Sequence, residues 1–227
     1  MNNYIKIKNL TKKYEKNKSI KVLNDITFNF EPGKTYSIMG PSGSGKSTLL
    51  NLLSLIDNPT AGSIEISNNK IKSNNKVKND LIRAKKIGII YQDKNLLSDF
   101  TALENVYLPN LLVSKEKQKS IELAKKLLKN VGMSSRINHF PNELSGGENQ
   151  RIAIARALIN NPDIILADEP TGSLDSDNAK LIFKILFNLK NKNRIIIFAT
   201  HNRYFANMAD CKIMMNDGNI QIINATI

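Results

Sequence analysis

The sequence predicts an α/β fold: a core with a parallel sheet, an N-terminal antiparallel β subdomain and an inserted α-helical subdomain. Three observations predict this fold. Short, almost continuous apolar runs alternate with helical patterns, as in parallel sheets whose strands are covered on both faces. Near the N-terminus a segment alternates apolar and polar residues, which indicates a half-buried antiparallel strand. A long stretch in the middle of the chain has no strand-like run.

The predicted strands follow one another along the chain. The alternating segment is "ITFNF" (26–30), and "EPGK" (31–34) turns the chain after it. The buried strands of the parallel sheet are then "YSIMG", "KIGIIYQ", "DIILADE" and "RIIIFATH". Further on, "KIMMNDGNIQII" predicts a hairpin that turns around Asn216 and Asn219.

Helical stripes fill the intervals between these strands. One stripe comprises Ile121, Ala124, Leu127, Leu128 and Val131, and a second comprises Leu181, Ile182, Ile185, Leu186 and Leu189. "TALE" (101–104) is a capping box that begins a helix, and residues 68–80 are predicted to be a solvated loop. We therefore expect one domain over residues 1–227. Its α/β core with the β subdomain covers residues 1–93 and 146–227, and residues 94–145 form the helical subdomain.

Composition limits the classes of protein to consider. Cys211 is the only cysteine, so the chain has no internal disulfide and no CxxC metal site. No apolar signal-peptide core or membrane-spanning run is present, and we expect a cytosolic chain. The net charge is +13, but the lysines are dispersed and no basic tract contains interleaved aromatic residues. We expect no nucleic-acid partner, while attraction to an anionic membrane face is compatible with the charge.

The stretch "GPSGSGKST" (40–48) matches G-x-x-x-x-G-K-[ST] between a predicted strand and a predicted helix, the context of a phosphate-binding loop. Its backbone N–H groups and the helix N-terminus face an anion. Lys46 adds a charge at the β- and γ-phosphates, and the Ser47 hydroxyl is a ligand for Mg²⁺. A simple glycine-rich turn would not need this lysine and serine in register. The core is therefore predicted to be a P-loop NTPase core that binds ATP and Mg²⁺ through Gly40, Pro41, Ser42, Gly43, Ser44, Gly45, Lys46, Ser47 and Thr48.

Polar residues follow the other predicted buried strands. Asp168 and Glu169 end "IILADE", Gln92 ends "KIGIIYQ", and His201 ends "RIIIFATH". Ligands of open parallel sheets bind at the carboxyl ends of the strands, so we expect these side chains to converge on one γ-phosphate. Asp168 is expected to hold Mg²⁺ and Glu169 to accept a proton from the attacking water. Gln92 is expected to contact Mg²⁺ and the water, and His201 to donate to the γ-phosphate.

A second glycine-rich helix start, "SGGE" (145–148), contains no lysine. Ser145 and Glu148 form a capping box, yet a cap does not require two glycines, each of which costs about 1 kcal/mol relative to alanine. Bare glycines at a helix N-terminus let a phosphate approach closely. Because the first loop already serves the chain's own ATP, Ser145, Gly146 and Gly147 are predicted to bind the nucleotide of a partner subunit. The motif thus implies a homodimer.

These motifs together make the chain resemble, over essentially its full length, the ATP-binding subunits of ABC transporters. The resemblance assigns "GPSGSGKS" as Walker A, "IILADE" as Walker B, Gln92 as the Q-loop glutamine, "LSGGE" as the signature and His201 as the switch histidine. It further implies that "SLD" is the D-loop, ending at Asp175, and that Tyr14 stacks on adenine. "DFTALENV", "NHFPNELSGGE" and "RALINNPDIILADEPTGSLD" are most similar to LolD-type ATPases of lipoprotein-releasing systems.

The resemblance implies a peripheral ATPase on the cytoplasmic face of the inner membrane. It would drive integral membrane permease subunits similar to LolC and LolE, with lipoprotein as the cargo. Two alternatives stay open within the subgroup: a macrolide or antimicrobial-peptide export or resistance transporter, and a cell-division ATPase that acts as a scaffold. DNA-repair and ribosome-associated relatives carry long insertions or two nucleotide domains, and neither fits in 227 residues.

Overall fold

The computed structural model describes residues 4–16 and 18–225. Within that part of the chain the strands are β1 (Ile5–Lys16), β2 (Lys18–Phe30), β3 (Thr35–Met39), β4 (Ala61–Ile66), β5 (Asn69–Lys70), β6 (Ile87–Ile90), β7 (Ile164–Asp168), β8 (Ile195–Ala199), β9 (Cys211–Asn216) and β10 (Asn219–Ala225). The helices are α1 (Lys46–Leu53), α2 (Lys76–Lys86), α3 (Ala102–Ser114), α4 (Lys117–Asn130), α5 (Gly146–Leu158), α6 (Ser176–Asn188) and α7 (Arg203–Ala206).

The strands form two sheets. The first has the order β2-β1-β4-β5 and is antiparallel throughout. The second has the order β10-β9-β3-β8-β7-β6, and all its pairs are parallel except the hairpin of β9 and β10. The predicted α/β fold, with its N-terminal antiparallel sheet and its C-terminal hairpin, is confirmed.

The order of the second sheet decides where the site lies. Strands β3, β8, β7 and β6 are consecutive neighbours, and all four run in the same direction. Their carboxyl ends therefore meet at one edge of the sheet. The segments that follow them, which begin at Gly40, Thr200, Glu169 and Tyr91, leave the sheet side by side.

Helices α3 and α4 and two short 3₁₀ turns lie between β6 and α5 in the chain, as predicted for the inserted segment. Thr101 caps α3 as expected: its hydroxyl accepts from the Glu104 N–H, and Glu104 Oε2 accepts from the Thr101 N–H at 2.8 Å. Ala124, Leu128 and Val131 of the α4 stripe are buried. The division into a core and a helical subdomain at residues 94 and 145 stays a prediction.

The prediction of a solvated loop over residues 68–80 is wrong at both ends, because Asn69–Lys70 form β5 and α2 begins at Lys76. The Asn75 side chain accepts a hydrogen bond from the Lys78 N–H, and Asn79 is buried with its amide donating to the Lys72 carbonyl. Polar caps rather than an apolar stripe define this helix start. A hydrophobic pattern therefore gave no signal for it.

The stripe of α6 is narrower than expected. Ile182 and Leu186 are buried in the core, but Leu181 is 40% exposed. Phe183 takes the buried place instead and stacks on Phe205 with ring centroids 3.9 Å apart. In the described ranges no helix is both long and apolar enough to cross a bilayer.

Candidate active site

The loop between β3 and α1 is shaped by its backbone. Gly45 is the N-cap of α1 with φ at 104°, a conformation that residues with a Cβ rarely adopt. A Cβ on Gly40 would lie 2.0 Å from the Met215 carbonyl oxygen, so only glycine fits there. The Lys46 ammonium donates to the carbonyls of Gly40 and Pro41, both at 2.9 Å. The loop thus closes around the lysine.

A cavity of about 410 Å³ opens beside this loop. Its lining combines the loop with three of the strand ends described above. The lining residues are Val22, Ser42, Gly43, Gly45, Lys46, Ser47, Thr48, Gln92, Asp168, Glu169 and His201. The structure therefore brings together Lys46, Ser47 and all four predicted strand-end residues. Gly40, Pro41 and Ser44 lie within the loop but outside this lining, and Ser44 is buried.

Two carboxylates occupy the sheet side of the cavity. Asp168 Oδ1 is buried and has no hydrogen-bond partner among the described residues. Glu169 has a φ of 44°, a strained conformation for a residue with a side chain, and its N–H donates to the Ala199 carbonyl at 3.1 Å. A buried carboxylate without a donor is costly unless a cation compensates it. The Asp168 oxygen therefore has the environment of a cation ligand.

His201 lies against Glu169. Its Nε2 is 3.1 Å from Glu169 Oε1, within ion-pair distance, although Oε1 accepts no hydrogen bond from the described residues. The His201 backbone N–H donates to Glu169 Oε2 at 3.3 Å. The Glu169 carboxylate is thus oriented by a residue that directly follows β8. A Cβ on Gly172 would lie 3.0 Å from Gln92 Nε2, so the segment after Glu169 also passes close to Gln92.

Tyr14 lies outside the cavity lining, on β1. Its hydroxyl donates to Asp57 Oδ2 at 2.8 Å, and Lys12 Nζ lies 2.6 Å from Asp57 Oδ1 and 4.7 Å from the Tyr14 ring centroid. Burial and this hydrogen bond raise the pKa of Tyr14. Burial alone would raise the pKa of Asp57, but the hydrogen bonds from Lys12 and Tyr14 outweigh it and leave that pKa below its usual value. Asp57 thus links the Tyr14 hydroxyl to the Lys12 ammonium.

The second glycine-rich segment lies on elements that do not line the cavity. Ser145 caps α5: its hydroxyl accepts from the Glu148 N–H at 3.2 Å, and Glu148 Oε2 accepts from the Ser145 N–H at 2.9 Å. Asp175 caps α6, and its carboxylate accepts from the N–H groups of Asp177 and Asn178. None of these capping hydrogen bonds reaches the chain's own phosphate loop.

The structure corrects part of the argument about the two glycines. A Cβ on Gly147 would lie 2.5 Å from Asn178 Oδ1, so a contact within the chain already favours glycine at this position. The nearest atom to a Cβ on Gly146 would be Leu174 Cδ2 at 3.6 Å, an ordinary van der Waals distance. Packing within the chain therefore does not explain why position 146 is a glycine. That Gly146 lets a partner's phosphate approach stays a prediction.

One lining residue was not foreseen. Val22 of β2 lies beside the phosphate loop, so the antiparallel sheet contributes a wall of the cavity. A single valine in a strand carries no chemical signal, and only the packing of the two sheets brings it here.

Comparison with known proteins agrees with this geometry. A family model described as ABC transporter matches residues 23–172. The lipoprotein-releasing system ATP-binding protein LolD of Rickettsia bellii is 44% identical over 92% of this chain and 93% of its own. An uncharacterised ABC transporter ATP-binding protein of Methanocaldococcus jannaschii, MJ1508, is 45% identical over 97% of this chain and 99% of its own.

A solved structure is similar along the same length. It is the dimeric post-hydrolysis state of the ATP-binding cassette MJ0796 bound to ADP and Pi, with a TM-score of 0.87 and 38% identity. The alignment covers 97% of this chain and 99% of that one. With the phosphate loop, the strand-end carboxylates and these matches in agreement, the chain belongs to the ABC transporter family as an ATP-binding subunit, an ATPase that drives transport.

Proposed function

We propose that this ATPase powers the release of lipoproteins from the inner membrane for transfer to the outer membrane. The observation that carries the proposal is the set of relatives named as lipoprotein-releasing ATP-binding proteins, which align with nearly the whole chain at 42–46% identity. The equally similar relative from Methanocaldococcus jannaschii carries no cargo assignment. Export of a macrolide or an antimicrobial peptide, or a cell-division scaffold role, is therefore the alternative.

The physical task fits an ATPase. Withdrawing acyl chains from a bilayer costs about 0.8 kcal/mol per CH₂ group, so lipoprotein release needs an energy source. This chain supplies that energy, and the path of the cargo lies in other subunits.

Nucleotide binding is assigned to the phosphate loop and the first sheet. Lys46, whose ammonium is already held at the loop by two carbonyls, contacts the β- and γ-phosphates. The N–H groups of residues 42–48 complete the cradle, and Tyr14 stacks on adenine. The Asp57 hydrogen bond supports this role because it fixes the ring that the base would contact.

Hydrolysis is assigned to the carboxyl ends of β7, β6 and β8. A water oxygen attacks the γ-phosphorus, the bond to the bridging oxygen of the β-phosphate breaks, and Glu169 accepts the proton of the water. Gln92 orients that water. His201 holds Glu169 in place, as its 3.1 Å approach supports, and donates to the γ-phosphate once the nucleotide is bound.

Three side chains around the cavity fit a magnesium ion. Oδ1 of Asp168 is buried and has no hydrogen-bond partner among the described residues. Ser47 and Gln92 line the same cavity, and their side chains carry neutral oxygen atoms. These are the hard oxygen ligands that Mg²⁺ takes beside substrate phosphates. When bound, the ion would neutralise charge on the β- and γ-phosphates.

Two such chains would form the working unit. The similar cassette MJ0796 is dimeric with ADP and Pi bound. Position 146 has room for a side chain, so packing within the chain does not explain its glycine. In the homodimer, Ser145, Gly146 and Gly147 of each subunit close the nucleotide site of the other, and the D-loop at Asp175 lies at the same junction.

The membrane permease subunits, similar to LolC and LolE, would dock next to the loop that contains Gln92. A groove of about 370 Å³ between α2, α3 and α5 supports this placement. It is lined mostly by apolar side chains, among them Leu112, which is 80% exposed, and it reaches Tyr91 immediately before Gln92. Docking there would place the subunit peripherally on the cytoplasmic face of the inner membrane.

Depletion of the chain in its parent cell, followed by membrane fractionation, tests the cargo. We expect lipoproteins to be retained in the inner membrane, to sort normally when the parent chain is restored, and to stay retained when Glu169→Gln is supplied instead. Normal lipoprotein sorting combined with failed export of a drug or peptide would replace the proposal with the alternative.

A further inference from the structure

The backbone around Gln92 is held by two side chains of one helix. Arg156 of α5 donates from Nη2 to the Lys94 carbonyl at 2.7 Å and from Nη1 to the Asn95 carbonyl at 2.6 Å. Gln150 of the same helix, which is fully buried, donates to the Tyr91 carbonyl at 3.4 Å. Helix α5 therefore contacts the backbone on both sides of Gln92.

The turn that Arg156 contacts has a strained backbone. Lys94 and Asn95 both have positive φ angles, 44° and 48°, in the left-handed region that is unfavourable for a residue with a side chain. Two consecutive residues in this region need external partners to persist. The planar guanidinium of Arg156 donates to both carbonyls from a single rigid fork, which a lysine ammonium cannot reproduce.

The same turn reaches the segment after Glu169. The Lys94 ammonium donates to the Ser173 hydroxyl at 2.6 Å, and Ser173 begins the "SLD" stretch between β7 and α6.

The Arg156 guanidinium is partly buried, and burial lowers its pKa. A buried charge is costly without hydrogen-bond partners, and the two carbonyls supply them. None of these contacts touches the cavity.

We propose that Arg156 is a positioning residue that makes the Gln92 loop (residues 91–95) move with helix α5. The N-terminus of α5 is the glycine-rich segment that would bind the partner subunit's nucleotide, so closure of the dimer would be transmitted through Arg156 to Gln92. This inference rests on the proposed roles of Gln92 and of Gly146.

Arg194 provides a matched control. Its guanidinium is also partly buried and also donates to backbone carbonyls, those of Pro162 at 3.0 Å and Leu189 at 3.1 Å. Pro162 precedes β7 and Leu189 follows α6, so these contacts lie at the opposite end of the sheet from the cavity. Alanine at Arg194 removes the same kind of contact without touching the Gln92 loop.

The first experiment measures amide hydrogen exchange of residues 91–97 in purified Arg156→Ala, Arg156→Lys and Arg194→Ala. Loss of both carbonyl contacts should accelerate exchange in this loop by about tenfold in Arg156→Ala, less in Arg156→Lys, and not in Arg194→Ala. Exchange that is unchanged in Arg156→Ala would overturn the inference. This readout is independent of catalysis, so it stands even if Gln92 has no catalytic role.

The second experiment is a double-mutant cycle on ATP turnover. We expect Arg156→Ala to lower kcat by about tenfold with little change in KM, because the phosphate loop is untouched. Combined with Gln92→Ala, it should add little further loss, since both changes act through one side chain. Fully additive losses would show that Arg156 acts by another route. Parental turnover in Gln92→Ala would instead refute the proposed role of Gln92 and would overturn the kinetic link through it.

Discussion

Gly146→Ala is the change that separates binding of a partner's phosphate from stability of the fold. A Cβ at this position would meet only Leu174 Cδ2 at 3.6 Å, so the fold has room for it. Replacing glycine by alanine in a helix stabilises it by about 0.5–1 kcal/mol. At about 2–4 °C per kcal/mol for a chain of this size, Tm should rise by about 1–4 °C.

The same methyl group should abolish ATP-driven dimerisation. It would stand over the first N–H groups of α5, where a phosphate of the partner's nucleotide has to approach to hydrogen-bond distance. The assay is light scattering of Glu169→Gln with ATP and Mg²⁺, with and without Gly146→Ala. We expect the parent background to form dimers and the double variant to stay monomeric. Dimers of equal stability in both would refute the composite site.

Gly147→Ala supplies the comparison, because here the obstacle lies within the chain. Its Cβ would lie 2.5 Å from Asn178 Oδ1, and the amide would have to leave Asp175 Oδ2, to which it donates at 2.6 Å. We expect that loss, about 1 kcal/mol, to cancel the gain in helix propensity. We also expect Gly147→Ala to prevent dimerisation, because its methyl group would stand where the partner's phosphate approaches. Adding Asn178→Ala should remove the clash and raise Tm without restoring dimers.

Three further changes test the rest of the site. Lys46→Ala should weaken ATP binding at least tenfold by calorimetry, since a hydrogen bond to a charged group contributes about 1.5–3 kcal/mol; parental affinity would contradict the phosphate-loop assignment. Glu169→Gln should bind ATP normally but release phosphate about 10²–10⁴ times more slowly, and an unchanged rate would exclude Glu169 as the base. The pKa of Asp57 lies below its usual value, so its stabilisation is present above the unfolded pKa and is lost as the pH falls through the folded one. Asp57→Asn should therefore cost about 1 kcal/mol near pH 7 and almost nothing in acid, measured by urea unfolding at several pH values; a cost independent of pH would contradict this.

The sequence predicted the strand ends well because two physical rules combine there. A strand covered on both faces must be apolar for its whole length, so its polar end marks where it leaves the sheet. Parallel strands then bring their ends to one edge. Asp168, Glu169, Gln92 and His201 met around one cavity for this reason, although they are distributed over more than a hundred residues.

Contacts without a repeating pattern could not be predicted. The Gly147 environment depends on Asn178, and the shape of the Gln92 loop depends on Arg156. In each case one polar side chain meets a distant backbone, and neither partner alters the apolar period of its element. The start of α2 was missed for the same reason, since Asn75 and Asn79 define it through hydrogen bonds and not through burial of an apolar face.

Helix α5 has the glycine-rich segment at one end and Arg156, which contacts the Gln92 loop, near the other. Gly146 and Arg156 are ten residues apart, which separates them by about 15 Å along the axis at 1.5 Å per residue. Between them Ile152, Ala153, Ile154 and Ala155 are buried, so the helix is packed as a stiff rod. In the proposed dimer, a phosphate bound at the first end would tilt or shift this helix as one body, and the carbonyls that Arg156 contacts would follow. We therefore expect the state of the partner's nucleotide to reach the Gln92 loop.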